Sequence, residues 1–392
     1  MQIFWIVGES SSDAHAARLI QAIGRIKSGW RHQGMAGSAM REAGCKPIAD
    51  ISEASLMGLT EVIGHLPRMI RLRNRFFEKI ASDRPDLVIL MDFPDFNLAL
   101  LKLIRKRLGS SIKVLYYISP QIWAWRRRRA KTMARLLDAL AVIFPFEVDF
   151  FAKYGLETVF FGHPLVGEIG ASASIEKLRE EFSIREGQEA IALLPGSRLQ
   201  EIRRHLPLLL QTVRQIRKKH PEIVALVTKV PTIRSEIYEN YICNYPAGLG
   251  DRDQYSSIKL IDNRTSDILA VSRIGIIKSG TSTVEAALIG TPFCVMYRTS
   301  PLTYMLARLL VKGVRHIAMV NVLAGETIVP EFIQDDANVA QLAEAVEKLW
   351  EGEDRERVKA GLKRVREKLG EPHSSERLAE WLVRRFGEKN EG

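Results

Sequence analysis

The sequence predicts an α/β protein made of two doubly wound, Rossmann-like domains. Short apolar runs alternate with longer stretches of helical periodicity in both halves, which is the pattern of parallel βαβ units. The chain has 392 residues, roughly twice the length of a common domain. Apolar residues make up 46% of it, enough to fill two cores.

In the first half, strands are expected at 3–7, 87–91, 114–118 and 139–144. In the second they are expected at 190–194, 223–228, 258–261, 274–277 and 293–297. Between them, 161–187 carries GHPLVGEIGASAS and then a charged stretch, and it reads as a linker with the lead-in to a second domain. The boundary is placed near residue 170, giving domains 1–170 and 171–340. The tail 341–392 is charged and helical in pattern and is expected to fold back on the first domain.

The 57 Lys and Arg outnumber the 46 Asp and Glu for a net charge of +11, which suits phosphate, nucleic acid or a lipid surface without choosing among them. Cys45, Cys243 and Cys294 are too scattered for a metal cluster and odd in number for a disulfide framework, so reduced thiols are expected. The start, MQIFWIVGES, lacks the cationic region and apolar run of a signal peptide. No apolar stretch approaches the ~20 residues that span a bilayer. A cytoplasmic protein is expected, with a membrane surface left open.

Six stretches could carry chemistry. WIVGESSSDAHAARLI reads as strand, polar loop and helix, an anion site if its N–H groups are free and otherwise a helix capped by Ser11, Ser12 or Asp13. LVILMDFPDFNLAL puts Asp92 at the carboxyl end of a buried strand, where ligands bind in open sheets and a carboxylate can take a proton from a hydroxyl. The alternative role, capping the next helix, suits Asp95 better. AIALLPGSRLQEIRRHLPLLL offers Gly196 for a turn and Arg198 for bidentate phosphate binding, against a solvated surface arginine. In IGIIKSGTSTVEAALIGTPFCVMYR, Ser279, Gly280 and Thr281 form a small-residue turn at a helix N-terminus, suited to a diphosphate. Glu285 follows one turn later, placed to accept from both ribose hydroxyls; a plain capped turn explains the glycine and threonine but not this acid. LMGLTEVIGHLPRMIRLRNRFF repeats Leu59, Val62, Ile63, Leu66, Met69, Ile70, Phe76 and Phe77 at helical spacing, with Arg68, Arg71 and Arg75 on another face. It reads as a helix in a membrane interface or as a core-facing helix with a basic rim, interrupted at Gly64 and Pro67. PLTYMLARLLVKGVRH is a second apolar and basic stretch.

ISPQIWAWRRRR places Trp123 and Trp125 beside Arg126, Arg127, Arg128 and Arg129. Aromatics in a basic groove grip single strands, so a nucleic-acid-binding protein is the rival from another class. No recognised nucleic-acid motif accompanies the cluster, and that reading leaves two nucleotide-type α/β domains unexplained.

Taken in order, GESSSDAHAARL, LMGLTEVIG, MDFPDFN, YYISPQIWAWRRRR, FPFE, GHPL, LLPGSRLQEI, SGTSTVEAAL and NVLAGE with PEFIQ resemble the lipid-A-disaccharide synthase family, from about residue 3 to residue 340. The resemblance implies a GT-B fold, two Rossmann-like domains facing each other across a cleft. It implies an inverting glycosyltransferase that joins UDP-2,3-diacylglucosamine to 2,3-diacylglucosamine 1-phosphate (lipid X), giving a β-1,6-linked disaccharide and UDP in Gram-negative lipopolysaccharide assembly. Carried over by position, Asp92 is the base, Arg198, Ser279, Gly280 and Thr281 hold the diphosphate, and Glu285 holds the ribose. Glu9, Ser10, Asn97, Asn321 and Gln334 line the acceptor site or cleft, and Leu66, Arg68, Met69, Ile70 and Arg71 face the membrane. The family implies no metal, no cofactor and no nucleic-acid partner, but an anionic surface at the cytoplasmic face of the inner membrane; a homodimer is left open. The two tryptophans are then expected to pack the loop and helix start. Ser12 stands where the family usually has glycine, Gly167 replaces an acid common after GHPLV, and Lys278 adds a cation before the diphosphate loop. Other UDP-sugar proteins, the lipid-linked N-acetylglucosaminyl transferase of peptidoglycan synthesis or UDP-N-acetylglucosamine 2-epimerase, share the donor-domain logic without SPQIWAWR beside FPDFN.

Overall fold

The first strand, β1 (Gln2–Val7), reads QIFWIV, and Ile3, Phe4, Trp5, Ile6 and Val7 are all 0% exposed. Ile3, Trp5 and Val7 enter one apolar cluster and Phe4 and Ile6 another. A strand apolar on both faces needs a layer of helices on each, as a parallel sheet provides. The structure, a computed structural model, describes residues 1–55, 62–124, 127–243, 257–310 and 315–387, without the side chains of 10, 54–55, 62–66, 306–307 and 309–310.

The chain forms two compact units, Met1–Val166 with Leu369–Gly392, and Gly167–Lys368. In the first, β1 is joined by β2 (Arg31–Ala36), β3 (Lys46–Asp50), β4 (Leu87–Met91), β5 (Lys113–Tyr117), β6 (Ala139–Val142) and β7 (Thr158–Phe160). They are parallel, in the order β3-β2-β1-β4-β5-β6-β7, with Ile3 beside Leu87 and Leu87 beside Lys113. Helices Val62–Asp83 and Pro94–Leu108 cover one face through Phe76, Ile80, Phe96 and Leu100. Helices Ser10–Ile26 and Ser374–Leu382 cover the other through Leu19, Ile23, Leu378 and Leu382.

The second unit holds β8 (Ala190–Leu194), β9 (Val224–Lys229), β10 (Ile258–Asp262), β11 (Ser272–Lys278), β12 (Phe293–Tyr297) and β13 (Glu331–Ile333). These too are parallel, ordered β10-β9-β8-β11-β12-β13. Helix Leu199–Ile216 packs on Val339–Trp350, and Ser282–Ile289 on Glu353–Lys368.

Four strands escape the sequence reading. β2 reads RHQGMA, polar and interrupted by glycine; β3 begins Lys46-Pro47, which an edge tolerates; β7 and β13 are three-residue strands at sheet edges. The division of the tail is also corrected. Val339–Trp350 and Glu353–Lys368 belong to the second unit, and the return to the first begins only at Leu369, because Leu378 and Leu382 have the apolar face that Leu19 and Ile23 leave open. Arg377 fastens this return by donating to the carbonyls of Phe161 at 2.7 Å and Glu371 at 2.6 Å. Gly167, at the junction, has a φ of +84°, a left-handed conformation that explains glycine there. Among the described residues no helix is long and apolar enough to cross a membrane.

Candidate active site

Where strand order reverses in a doubly wound sheet, adjacent loops leave in opposite directions and open a crevice at the carboxyl ends. In the first unit this falls between β1 and β4, at Gly8 and Glu9 on one side and Asp92 and Phe93 on the other. Asp92 and Phe93 are both left-handed, with φ of +46° and +45°, which costs a non-glycine residue on the order of 1–3 kcal/mol. Neighbours impose it. The fully buried Asn97 donates through Nδ2 to the carbonyls of Met91 at 3.1 Å and Asp92 at 2.6 Å, and the Tyr116 hydroxyl donates to the same Asp92 carbonyl. Phe93 stacks on Phe96 at 4.8 Å and lies so close to Gly8 that a Cβ there would stand 2.6 Å from its own. The partly buried Asp92 carboxyl is pushed up to about 7 by burial, with the Glu9 carboxylate adding to the rise. A carboxyl poised near neutrality can accept a proton and release it again.

Around this strand end the two expected helix caps, Asp13 and Asp95, are revised. Glu9 is exposed and occupies the N-cap position of its helix, while the Ser10 side chain lies outside the described residues. Asp13 does not cap that helix: it accepts from the N–H groups of Gly37 at 2.7 Å and Ala39 at 3.0 Å, capping the next one. Asp95 pairs with Arg129, Arg127 and Arg128 are exposed, and Trp125 and Arg126 lie outside the described residues. Trp123 packs edge-on against Phe146 at 5.0 Å. Together with Ser119 it faces Glu147, which is 1% exposed and pushed up to about 8 by burial. Glu147 was not singled out in the sequence; its signal is an acid inside the apolar run FPFEVDFF.

In the second unit the reversal falls between β8 and β11. Gly196 has a φ of +121°, and a Cβ there would meet Glu201 Oε2 at 2.4 Å. Glu201 accepts from the N–H groups of Ser197 at 3.0 Å and Arg198 at 3.3 Å, and pairs with Lys278 at 2.9 Å. Burial opposes its charge, but Lys278 and these donors prevail and hold the carboxyl below its usual range. The two loops are thereby joined at the switch point, with Ser197 and Arg198 exposed above them. Ser279 donates to the carbonyl of Ile317 and Thr283 to that of Gly280, each at 2.8 Å, shaping the turn before helix Ser282–Ile289. Gly280 and Thr281 are exposed, and Glu285, in the first turn, is raised by burial.

Two expected lining residues turn inward. Asn321 is 0% exposed, donating to the Val329 carbonyl at 2.9 Å and Glu331 Oε1 at 2.7 Å while accepting from Ile328 at 2.8 Å and Val329 at 3.0 Å. Its amide is saturated, so it clamps Glu331 instead of lining a surface. Glu331, also missed, accepts from Ile317 at 2.8 Å and Ala318 at 3.0 Å at the start of helix Met319–Ala324. Gln334 takes the Thr299 N–H at 2.7 Å and gives to its carbonyl at 3.3 Å, fixing the chain after β12.

On helix Val62–Asp83, Met69 packs on the core and is not outward-facing, whereas Arg68, Ile70 and Arg71 are exposed; the Leu66 side chain lies outside the described residues. On helix Pro301–Leu310, Leu302 and Met305 are 64% and 54% exposed. Among the described residues, no group of three or more His, Cys, Asp or Glu is arranged to hold a metal ion.

Two doubly wound units in one chain, each with polar groups at its switch point, have the layout of the GT-B class. The UDP-GlcNAc 2-epimerase of Neisseria meningitidis, in a crystal structure bound to UDP-GlcNAc, matches with a TM-score of 0.62 over 98% of this chain and 100% of that one, at 11% identity. CalG4, the calicheamicin glycosyltransferase, matches with 0.62 over 99% of each chain, at 13% identity. Sequence comparison then narrows the class. A family model described as lipid-A-disaccharide synthetase matches residues 3–384. The lipid-A-disaccharide synthase of Geobacter sulfurreducens is 36% identical over 389 residues, 99% of this chain and 98% of that one. The chain belongs to the lipid-A-disaccharide synthase family, and it is a glycosyltransferase of lipid A biosynthesis.

Proposed function

We propose that the chain joins UDP-2,3-diacylglucosamine to lipid X in a Gram-negative cell, with Asp92 as the general base. The observation that carries this reading is the strand-end carboxyl of Asp92, held in a forced turn and raised to about 7. Its carboxylate takes the proton of the acceptor's 6-hydroxyl. The oxygen attacks the anomeric carbon opposite the diphosphate, the carbon–oxygen bond to UDP breaks with its electron pair leaving on UDP, and the configuration inverts. Arg198 and the N–H groups of Gly280 and Thr281, on the turn that Ser279 shapes through its bonds to Met296 and Ile317, oppose the charge gathering on the diphosphate, and Glu285 accepts from the ribose hydroxyls. No step requires a metal or cofactor. Incubating the pure protein with both lipids tests the reading: disaccharide and UDP should form, and turnover of undecorated UDP-N-acetylglucosamine without disaccharide would overturn it.

The same reading places the protein on the cytoplasmic face of the inner membrane. Ile70 with Arg68 and Arg71, and Leu302 and Met305 with Arg308, are exposed apolar and basic groups of the sort that enter an anionic interface. Ile70→Glu and Met305→Glu should each lower co-sedimentation with phosphatidylglycerol vesicles severalfold while leaving the melting temperature unchanged. Undiminished vesicle binding, or preference for oligonucleotides, would count against the surface.

A further inference from the structure

His205 lies on helix Leu199–Ile216 one turn beyond Glu201, and it is 0% exposed. Its Nδ1 is 2.7 Å from the carbonyl oxygen of Pro195, and its Nε2 lies 3.1 Å from the N–H nitrogen of Arg298 and 3.0 Å from the Arg298 oxygen. A neutral ring protonated on Nδ1 serves both neighbours, donating to Pro195 and accepting from Arg298. Burial favours that neutral form by lowering the pKa.

The ring's partners belong to different strand ends. Pro195 opens the loop that presents Ser197 and Arg198 after β8, and Arg298 follows β12. Between β8 and β12 lies β11, whose end, Lys278, is tied to the same helix by Glu201. Side chains four residues apart share one helix face, so Glu201 and His205 together fasten three neighbouring strand ends to a single rigid element. From the far side, Gln334 holds Thr299 by both its N–H and its carbonyl. The segment after β12 is thereby pinned on two sides.

We propose that His205 is a positioning residue for the nucleoside diphosphate: without touching the ligand, it sets the spacing between the Ser197 and Arg198 loop and the Arg298 segment. This rests on the assignment of UDP to the second switch point.

The test uses the full chain, with UDP as the probe in calorimetric titration and steady-state kinetics alongside. His205→Phe keeps a ring and removes both hydrogen bonds, and displaced binding groups should raise the Kd for UDP and the KM for the donor about tenfold, with kcat changing far less. His205→Gln retains an acceptor toward Arg298 and should recover most of the loss. A folded His205→Phe protein with Kd and KM within about twofold of wild type overturns the proposal. If that variant fails to fold, His205→Asn, which can keep a donor toward Pro195 but loses the acceptor toward Arg298, carries the test; severalfold weaker UDP binding supports the proposal, and unchanged UDP affinity overturns it. Arg198→Ala in the same titration separates the two readings. Unchanged affinity there means UDP does not bind at this switch point, and the role of His205 falls with it. Weakened binding in Arg198→Ala with unaltered His205 variants removes the positioning role alone.

Discussion

Asp92→Asn should leave the fold and UDP binding intact and lower turnover by about 10³-fold, the scale of a lost general base. The amide keeps the shape of the side chain, so the carbonyl bonds from Asn97 and Tyr116 that hold the left-handed turn remain. What disappears is the site that accepts the proton. The wild-type kcat/KM should fall as pH drops through about 7, because the base must be ionised and its carboxyl is raised to that region; the residual rate of the variant should lack this limb. Stability should move the other way. A carboxyl raised in the folded state loses its proton first in the unfolded chain, so wild-type stability declines as pH rises from the ordinary carboxylate range to about 7. Asparagine carries no such penalty, and at pH 8 the variant should melt no lower than wild type. An Asp92→Asn protein with full turnover would remove Asp92 from the base role.

Asn97→Ala should reduce kcat by about 10²-fold even though Asp92 is still present, since a displacement near 1 Å of a reacting group has that effect. Asn97 bonds the carbonyls of both Met91 and Asp92, and without it the two consecutive left-handed residues have less to oppose their relaxation. Leaving those carbonyls without this partner should also cost about 1–3 kcal/mol of unfolding free energy, measured by denaturant titration. UDP affinity should hold, because the proposed nucleotide groups lie in the other unit. A kcat within about twofold of wild type would show that Tyr116 and the packing of Phe93 suffice to place the acid.

The legibility of the site follows the range of the forces that build it. Asp92, Arg198, Gly280 and Glu285 could be read directly because each sits in a strand-loop-helix pattern within about 15 residues, and that pattern puts its loop at a carboxyl end whatever else the fold does. Asn97, Asn321 and Gln334 were visible as polar residues, but their direction was not. The sequence left them free to face a ligand, and the packed unit turned all three onto backbone groups. Asp13 reaches 24 residues along the chain to Gly37, and His205 reaches 93 to Arg298; no local periodicity records such partners. The edge strands β7 and β13, three residues each, are too short to show a pattern of their own.

Met69 and Ile70 mark the same division most sharply. Both belong to one amphipathic helix with a basic rim, and that much was determined by residue type and spacing alone. The next step needed the neighbours: successive helical residues differ by about 100° around the axis, so a small rotation decides which of the pair meets the core. Contact with the cluster around Phe76 sends Met69 inward and leaves Ile70 41% exposed. By itself the sequence determined two doubly wound domains, their switch-point loops and the family, because those depend on short repeating patterns and ordered motifs. The tertiary structure alone decided which polar groups clamp and which stay open, because a hydrogen bond is satisfied by whatever partner the fold brings within about 3 Å.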